Sequence, residues 1–515
     1  MYIGIKSNME RKYDNNLIAH RKKNALRMTL TGFVYVVVSI LCPFIIRSMM
    51  IYIMGYEYAG LNTVLYSIIS MLNMTELGLG SVIVYFLYDP VARGDIKRIG
   101  AYLRVLKKVY GYIAAIVSLI GICVIPFIKY IVGVDVPADS HVYASYLLFL
   151  VSTIVLYLGM PEADILFNAY QRGDIVNYIK LLSALLAYTL QIIAIVVFRS
   201  FVMYFCAILL QSLFVVFLRY YSKKKYFPQI SSVGDISSEE KRDIRKRVLS
   251  VFGHQMDETL ISSMDNLILS FFCGLSVVTT YGNYMYVVSA LGMFLAVLFN
   301  ALTVTVGNAI VTESKESNYI RFKKVLGINS ALVIWIFVCM SNLYTEFMTA
   351  WMGDKLLPFR TMFLFCIYFF VMQIRKSVIS FKNANGMWWE DRYKPYLSMI
   401  VNIILDIILV RFAGIEGALL SSILCIVFIE IPWESKVLIR DYFNQSLGYY
   451  YVKLLEGLLL CVAGSFIAGK ACELIDTGIM LGNIAIHGII CTLIFVIFLA
   501  LVMLYSNVVI RHEES

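Results

Sequence analysis

The stretch VNYIKLLSALLAYTLQIIAIVVFRSFVMYFCAILLQSLFVVFLRYYSKKKYF, residues 176–227, decides the fold. It holds two apolar runs, 176–198 and 201–221, parted by a connection of two residues and closed by Lys223, Lys224 and Lys225. A helix needs about 20 mostly apolar residues to cross the hydrocarbon core of a bilayer. Each run therefore reads as a membrane span, and the lysines mark a cytoplasmic exit. The same ruler finds earlier spans near 27–52, 60–88, 109–130 and 142–166, and later spans near 249–272, 277–305, 325–345, 358–380, 395–413, 416–435, 449–470 and 483–507. The expected fold is an all-α integral membrane protein of about 14 transmembrane helices.

Composition agrees. Of 515 residues, 60% are hydrophobic and 15% charged, with mean hydropathy +0.77. Soluble domains carry about 25% charged residues. The ten cysteines are scattered singly, without a CxxC pair or a Cys/His cluster, so neither a disulfide framework nor a metal site is expected. No cofactor is expected.

The connections set orientation. Lys6, Arg11, Lys12, Arg21, Lys22 and Lys23 precede the first span. Arg93, Lys97, Arg98, Arg104, Lys107 and Lys108 follow the second, and the long connection 222–248 is rich in Lys and Arg. Lys315, Arg321, Lys323 and Lys324 follow the eighth. Segments 131–141 and 273–276 hold no Lys or Arg, and 346–358 holds Lys355 alone. Basic segments stay in the cytoplasm, which places both termini there. The net charge of +10 is then mostly a topology signal, and a nucleic-acid partner is not expected.

Two halves echo each other. Lys107-Lys108-Val109-Tyr110-Gly111 matches Lys323-Lys324-Val325-Leu326-Gly327, and Asn168-Ala169 matches Asn383-Ala384, at nearly one offset. Two parallel six-helix bundles around a central cavity are expected, with two C-terminal helices appended. The expected division is a tail (1–26), a first bundle (27–221), a cytoplasmic linker (222–248), a second bundle (249–440) and two further helices with the C-terminus (441–515).

Ionisable groups inside spans are costly and face a cavity or a partner. His254, Asp257, Glu258 and Asp265 fall on one stripe about 100° wide of the seventh span. They either line a cavity, meeting a polar head group or carrying coupling protons, or they sit at the interface and pair with neighbouring helices. Glu76, in Asn73-Met74-Thr75-Glu76-Leu77-Gly78, is a candidate proton carrier or a structural hydrogen-bond partner. Arg47 lies near the external end of the first span, where it could hold a phosphate, pair with Glu57 or snorkel outward. Arg375 and Lys376 stand near the cytoplasmic end of the tenth span, with snorkelling or contact with phosphate as the two readings. No P-loop, HExxH or GxSxG motif occurs, and the external loops are too short for a catalytic domain. A secondary transporter fits better than an enzyme.

Several spaced blocks carry a family resemblance. The first is Pro43-Phe44-Ile45-Ile46-Arg47, Gly60-Leu61-Asn62, Glu76-Leu77-Gly78 and Tyr85-Phe86-Leu87-Tyr88-Asp89-Pro90. The second is His254 with Asp265-Asn266, Asn283-Tyr284, Gly307-Asn308 and Trp351-Met352-Gly353. The third is Asn385-Gly386, Asp391-Arg392-Tyr393-Lys394-Pro395, Asn402 and Gly414-Ile415-Glu416-Gly417. Over most of its length the chain resembles the Wzx-type polysaccharide flippases of the multidrug/oligosaccharidyl-lipid/polysaccharide exporter superfamily. It departs from them in having Gln255 where Lys is expected after His254, and in lacking a Pro before Gly307. The resemblance implies a bacterial cytoplasmic-membrane protein that moves an undecaprenyl-pyrophosphate-linked oligosaccharide from the inner to the outer leaflet by alternating access. Its partners would be that substrate, membrane lipid, and the polymerase and export proteins of surface polysaccharide assembly. The candidate substrate-binding set is Arg47, Asn62, His254, Asp257, Asp265, Arg375 and Lys376, with Glu76 and Glu258 for ion coupling. A drug or cation antiporter of the same superfamily is the nearest rival. A polysaccharide polymerase or ligase, and a membrane scaffold, are more distant ones.

Overall fold

A computed structural model describes residues 27–73, 79–133, 136–353, 355–387 and 389–513, with backbone alone at 81, 249–258, 297–298, 300–309, 311–312 and 498–513. Every regular element among the described residues is helical. Among the described residues ten segments are long and apolar enough to cross a membrane, against the expected count of about 14 over the whole chain. The protein is a multi-pass membrane protein. Helices Tyr56–Asn73 and Leu79–Arg93 overlap the expected span 60–88, whose residues 74–78 lie outside the described ones, and the expected span 249–272 falls in the helix Ser238–Cys273. Lys394–Tyr442 is a single apolar segment broken at Gly414, whose φ of 54° and ψ of −125° interrupt the helix.

The surface is inverted relative to a soluble domain. Large apolar side chains face outward, Phe412 at 81% exposure among them, while Ser145, Asn283, Asn329 and Asp406 are fully buried. Lipid is as apolar as leucine, so helices associate through small and polar contacts rather than by hiding hydrocarbon from water.

The chain divides into two compact units: Met1–Thr259 with Gly274–Ser276, and Leu260–Cys273 with Val277–Ser515. The first contains α1 (Arg27–Met54), α2 (Tyr56–Asn73), α3 (Leu79–Arg93), α4 (Ile96–Val132), α5 (Val142–Leu158), α6 (Glu162–Ala169), α7 (Gly173–Phe198) and α8 (Phe201–Tyr226). Here α8 packs along both α5 and α7, and Ala163, Phe167, Ile175, Val176 and Ile179 form a buried cluster. Helix α9 (Ser238–Cys273) begins in the first unit and ends in the second.

The second unit continues with α10 (Leu275–Thr312), α11 (Lys315–Met352), α12 (Phe359–Ile374), α13 (Lys376–Ala384), α14 (394–413), α15 (415–442), α16 (Gly448–Cys472) and α17 (Met480–Glu513). The last two pack on α11 through Val338, Ala468, Cys472 and Cys491. The short helices α6 and α13 end at Ala169 and Ala384, the pair that the internal repeat aligns.

The linker is part of the first unit. Ser231 and Val233 carbonyls lie so close to Gly100 on α4 that a Cβ there would stand 2.4 and 2.9 Å from them. Arg104 donates to the Gly234 carbonyl at 3.2 Å. Glu240 accepts from Arg98 at 2.7 Å and from the Tyr102 hydroxyl at 2.8 Å. The same carboxylate accepts from the Ser237 backbone N–H at 2.9 Å, while Ser237 Oγ accepts from the Glu240 N–H at 3.2 Å, a reciprocal cap on α9.

Candidate functional site

Two polar clusters inside apolar helices stand out, one in each unit. In the second unit Asp265 (α9), Tyr281 (α10), Asn402 and Asp406 (α14) and Ser421 and Ser422 (α15) are drawn together. Asn402 and Asp406 are four residues apart and share a face of α14. Gly414 supplies the positive φ that turns the chain back, and Gly417 lets α15 close on α14: a Cβ at Gly417 would stand 2.3 Å from the Leu409 carbonyl oxygen. The Gly414-Ile415-Glu416-Gly417 block is thus a turn that brings Ser421 and Ser422 to Asp406 and Asn402.

Tyr281 donates to Asp265 Oδ2 at 2.8 Å, Ser421 donates to Asp406 Oδ1, and Asn402 Nδ2 donates to Ser422 Oγ at 3.3 Å. The Asp265 and Asp406 carboxyls lie within hydrogen-bonding reach of each other. Asp265 is 2% exposed and Asp406 and Asn402 are fully buried. Apart from the two carboxyls themselves, no donor among the described residues reaches Asp265 Oδ1, Asp406 Oδ2 or Asn402 Oδ1. Buried acceptors left without donors cost free energy. Two adjacent carboxylates cannot both stay ionised without a counter-charge, so chemically this cluster can share a proton or accept a small monovalent cation. No group of three or more His, Cys, Asp or Glu among the described residues suits a metal ion.

The first unit carries the opposite charge. Arg47 follows most of α1, and a π-helical stretch, Met50–Met54, and Gly55 at φ 126° return the chain into α2. Arg47 Nη1 donates to Thr63 Oγ1 at 3.1 Å. Its charge also acts on the buried Tyr204 hydroxyl, which is hydrogen-bonded to Asn62 and Tyr66. Asn62 Oδ1 is buried with no donor among the described residues. Glu57, a partner offered for Arg47 by the sequence, accepts from Ser276 at 2.9 Å. The cluster is a guanidinium among hydroxyl and carboxamide groups, the donor set that suits a phosphate oxygen.

Arg47 and Asn62 therefore share a neighbour, Tyr204, and Asp265 meets Asp406, to which the sequence alone assigns no role. Arg375 is placed otherwise. It is 7% exposed and forms a two-pronged pair with Glu434, at 3.0 and 2.6 Å, together with an ion pair to Glu430. Lys394 reaches Glu434 at 2.9 Å, and Ser398 donates to Glu430 at 2.7 Å. These partners pair the charge of Arg375 inside the protein. Lys376 is half-buried at the start of α13. The first unit has a counterpart that sequence reasoning missed. Arg219 on α8 pairs with Asp164 at 2.6 Å, and Lys223 faces Glu162 at 3.5 Å. The signal was there in the four-residue spacing of Arg219 and Lys223. Glu76 lies outside the described residues, as do the side chains of His254, Asp257 and Glu258.

A mostly apolar cavity of about 230 Å³ in the second unit is lined by Leu326, Ser330, Ile334, Tyr449, Lys453 and Leu460. Its walls suit hydrocarbon rather than sugar.

No protein-family model matches the chain, and no curated protein does. Solved structures do. An inward-facing multidrug resistance MATE family transporter of the MOP superfamily superposes with a TM-score of 0.65 at 11% identity, over 85% of this chain and 98% of that one. The lipid II flippase MurJ, in an inward closed conformation, superposes with a TM-score of 0.66 at 13% identity, over 94% of this chain and 99% of that one. A MATE protein in a bent conformation gives a TM-score of 0.54 at 13% identity, over 86% of this chain and 96% of that one. At such identities the likeness is one of architecture: the chain has the fold shared by these transporters.

Proposed function

We propose that this protein is a flippase for lipid-linked oligosaccharides. It carries an undecaprenyl-pyrophosphate-linked repeat unit from the inner to the outer leaflet of a bacterial cytoplasmic membrane by alternating access, with both termini cytoplasmic. The observation that carries the reading is the Arg47 cluster, a cation set among Thr63, Asn62 and Tyr204 inside an apolar bundle. A pyrophosphate must shed water to cross, and a pre-placed guanidinium offsets that loss. A fold shared along nearly the whole chain with a lipid II flippase supports the same class of cargo. The Asp265–Asp406 pair would couple the cycle to a cation or proton gradient. His254, Asp257, Glu258 and Glu76 remain proposed members of the polar pathway.

A drug or cation antiporter is the second reading, favoured by the buried carboxylate pair and by the MATE architecture. One experiment separates them. In cells lacking this chain, lipid-linked oligosaccharide should accumulate on the inner leaflet and surface polysaccharide should disappear, both restored by the wild-type gene. Normal surface glycan with altered drug or cation sensitivity would establish the antiporter. In the restored strain Arg47→Ala should abolish export while Arg47→Lys retains part of it, at equal protein level.

A further inference from the structure

The basic end of α8 is unlike the rest of the charged network. Lys223 turns inward to Glu162, whereas Lys224 and Lys225 are exposed. Lys224 sits over the Tyr220 ring at 6.0 Å, and Lys225 over Tyr221 at 6.0 Å and Tyr226 at 5.5 Å. Among the described residues neither ammonium meets a carboxylate within ion-pair distance, and the nearby Arg172 is taken by Asp174 at 3.0 Å. Below them the same helix face is an outward apolar stripe at three- and four-residue steps. Leu210, Leu213 and Phe217 lead to Tyr220 and Tyr221, each between 50 and 59% exposed. Such a face passes from hydrocarbon contact through aromatic rings to two fixed cations over little more than four helical turns.

We propose that this face of α8 binds an anionic phospholipid. The acyl chain would lie along Leu210, Leu213 and Phe217, and the phosphate would sit between Lys224 and Lys225. Charge complementarity decides the occupant. Two ammonium groups held by ring faces at the water boundary attract a net-negative head group, and a zwitterionic one offers them little. The rings restrict the lysine side chains before the lipid arrives, so less freedom is lost on binding.

The test uses the purified full-length protein in bilayer discs, with lipid retention read by native mass spectrometry. Phosphatidylglycerol is the probe and phosphatidylcholine the comparison. The wild type should retain phosphatidylglycerol preferentially, and less of it as salt is raised. A Lys224→Gln/Lys225→Gln variant should lose about thirtyfold in apparent affinity, from about fivefold per lysine. Lys470→Gln, at an exposed lysine paired with Glu473, should lose nothing. Equal retention of the two lipids by the wild type, or an unchanged preference in the double variant, overturns the proposal. Lys224→Gln alone, with an intermediate loss, guards against a folding defect in the double variant.

Discussion

The two units fasten the same joint with opposite charges. In the first, a short helix supplies acids, Glu162 and Asp164 on α6, and the long helix beside it supplies bases, Arg219 and Lys223 on α8. In the second, the base Arg375 stands at the head of α13 and the acids Glu430 and Glu434 lie on α15. In both, the two charges on the long helix are four residues apart, one turn, so both point at the short helix. The architecture thus requires a polar fastening at this joint and leaves its sign open. The second fastening is also the deeper one. Arg375 and Glu434 keep side-chain exposures of 9 and 2%, against 14 and 19% for Arg219 and Asp164.

Depth makes the comparison breakable. The largest effect is expected from Glu434→Gln, which leaves Arg375 and Lys394 facing a neutral amide in a dry site. Removing one member of a buried pair costs about 3–5 kcal/mol, and thermal unfolding in detergent should show it. If the sign is free, the exchange Arg375→Glu with Glu434→Arg should recover a large part of that loss. No recovery over either single change would mean that Lys394, or the field of the second unit, fixes the sign. Arg219→Gln should cost less, about 1.5–3 kcal/mol, because the first joint is wetter. A loss equal to that of Glu434→Gln would erase the distinction between the units. The smallest effect belongs to the linker latch. Arg98 beside Glu240 holds its carboxyl at about 2, below the ordinary value near 4.3. Since the folded value is the lower one, the latch contributes stability above the ordinary value and loses it as pH falls from about 4 toward 2. Glu240→Gln should remove that slope from acid unfolding while changing stability near neutrality by less than about 1 kcal/mol.

Much of the architecture was legible in hydropathy, because length and apolar content answer directly to bilayer thickness. Span boundaries were softer. The turn at Gly414 is a backbone event that a hydropathy window averages away. Of the candidate sites, Arg47 stands out in the sequence because an arginine at an external end violates the charge rule, and Asp265 because it shares a helical stripe. Neither partner could be read. Asp406 reaches Asp265 only through packing of α14 against α9, and Asn62 reaches Arg47 through Tyr204, on a helix far along the chain. The partners of Arg375 were hidden for a related reason. Its carboxylates lie on α15, and a cation at a span end looks alike from sequence whether it meets lipid phosphate or a buried Glu. The spacing of Asn402 and Asp406, four apart on an apolar helix, was the readable hint of the second site.

The docked linker has a consequence for proteolysis. A protease must draw an extended stretch of substrate into its cleft, and chain lengths around 227–237 would suggest an open target between two domains. Here the strand of linker is pressed against Gly100, tied through the Gly234 carbonyl and closed by Glu240. Residues 227–237 hold no Lys or Arg, so the enzyme that reads this is one of broad specificity, which would meet the stretch as folded surface and cut it slowly.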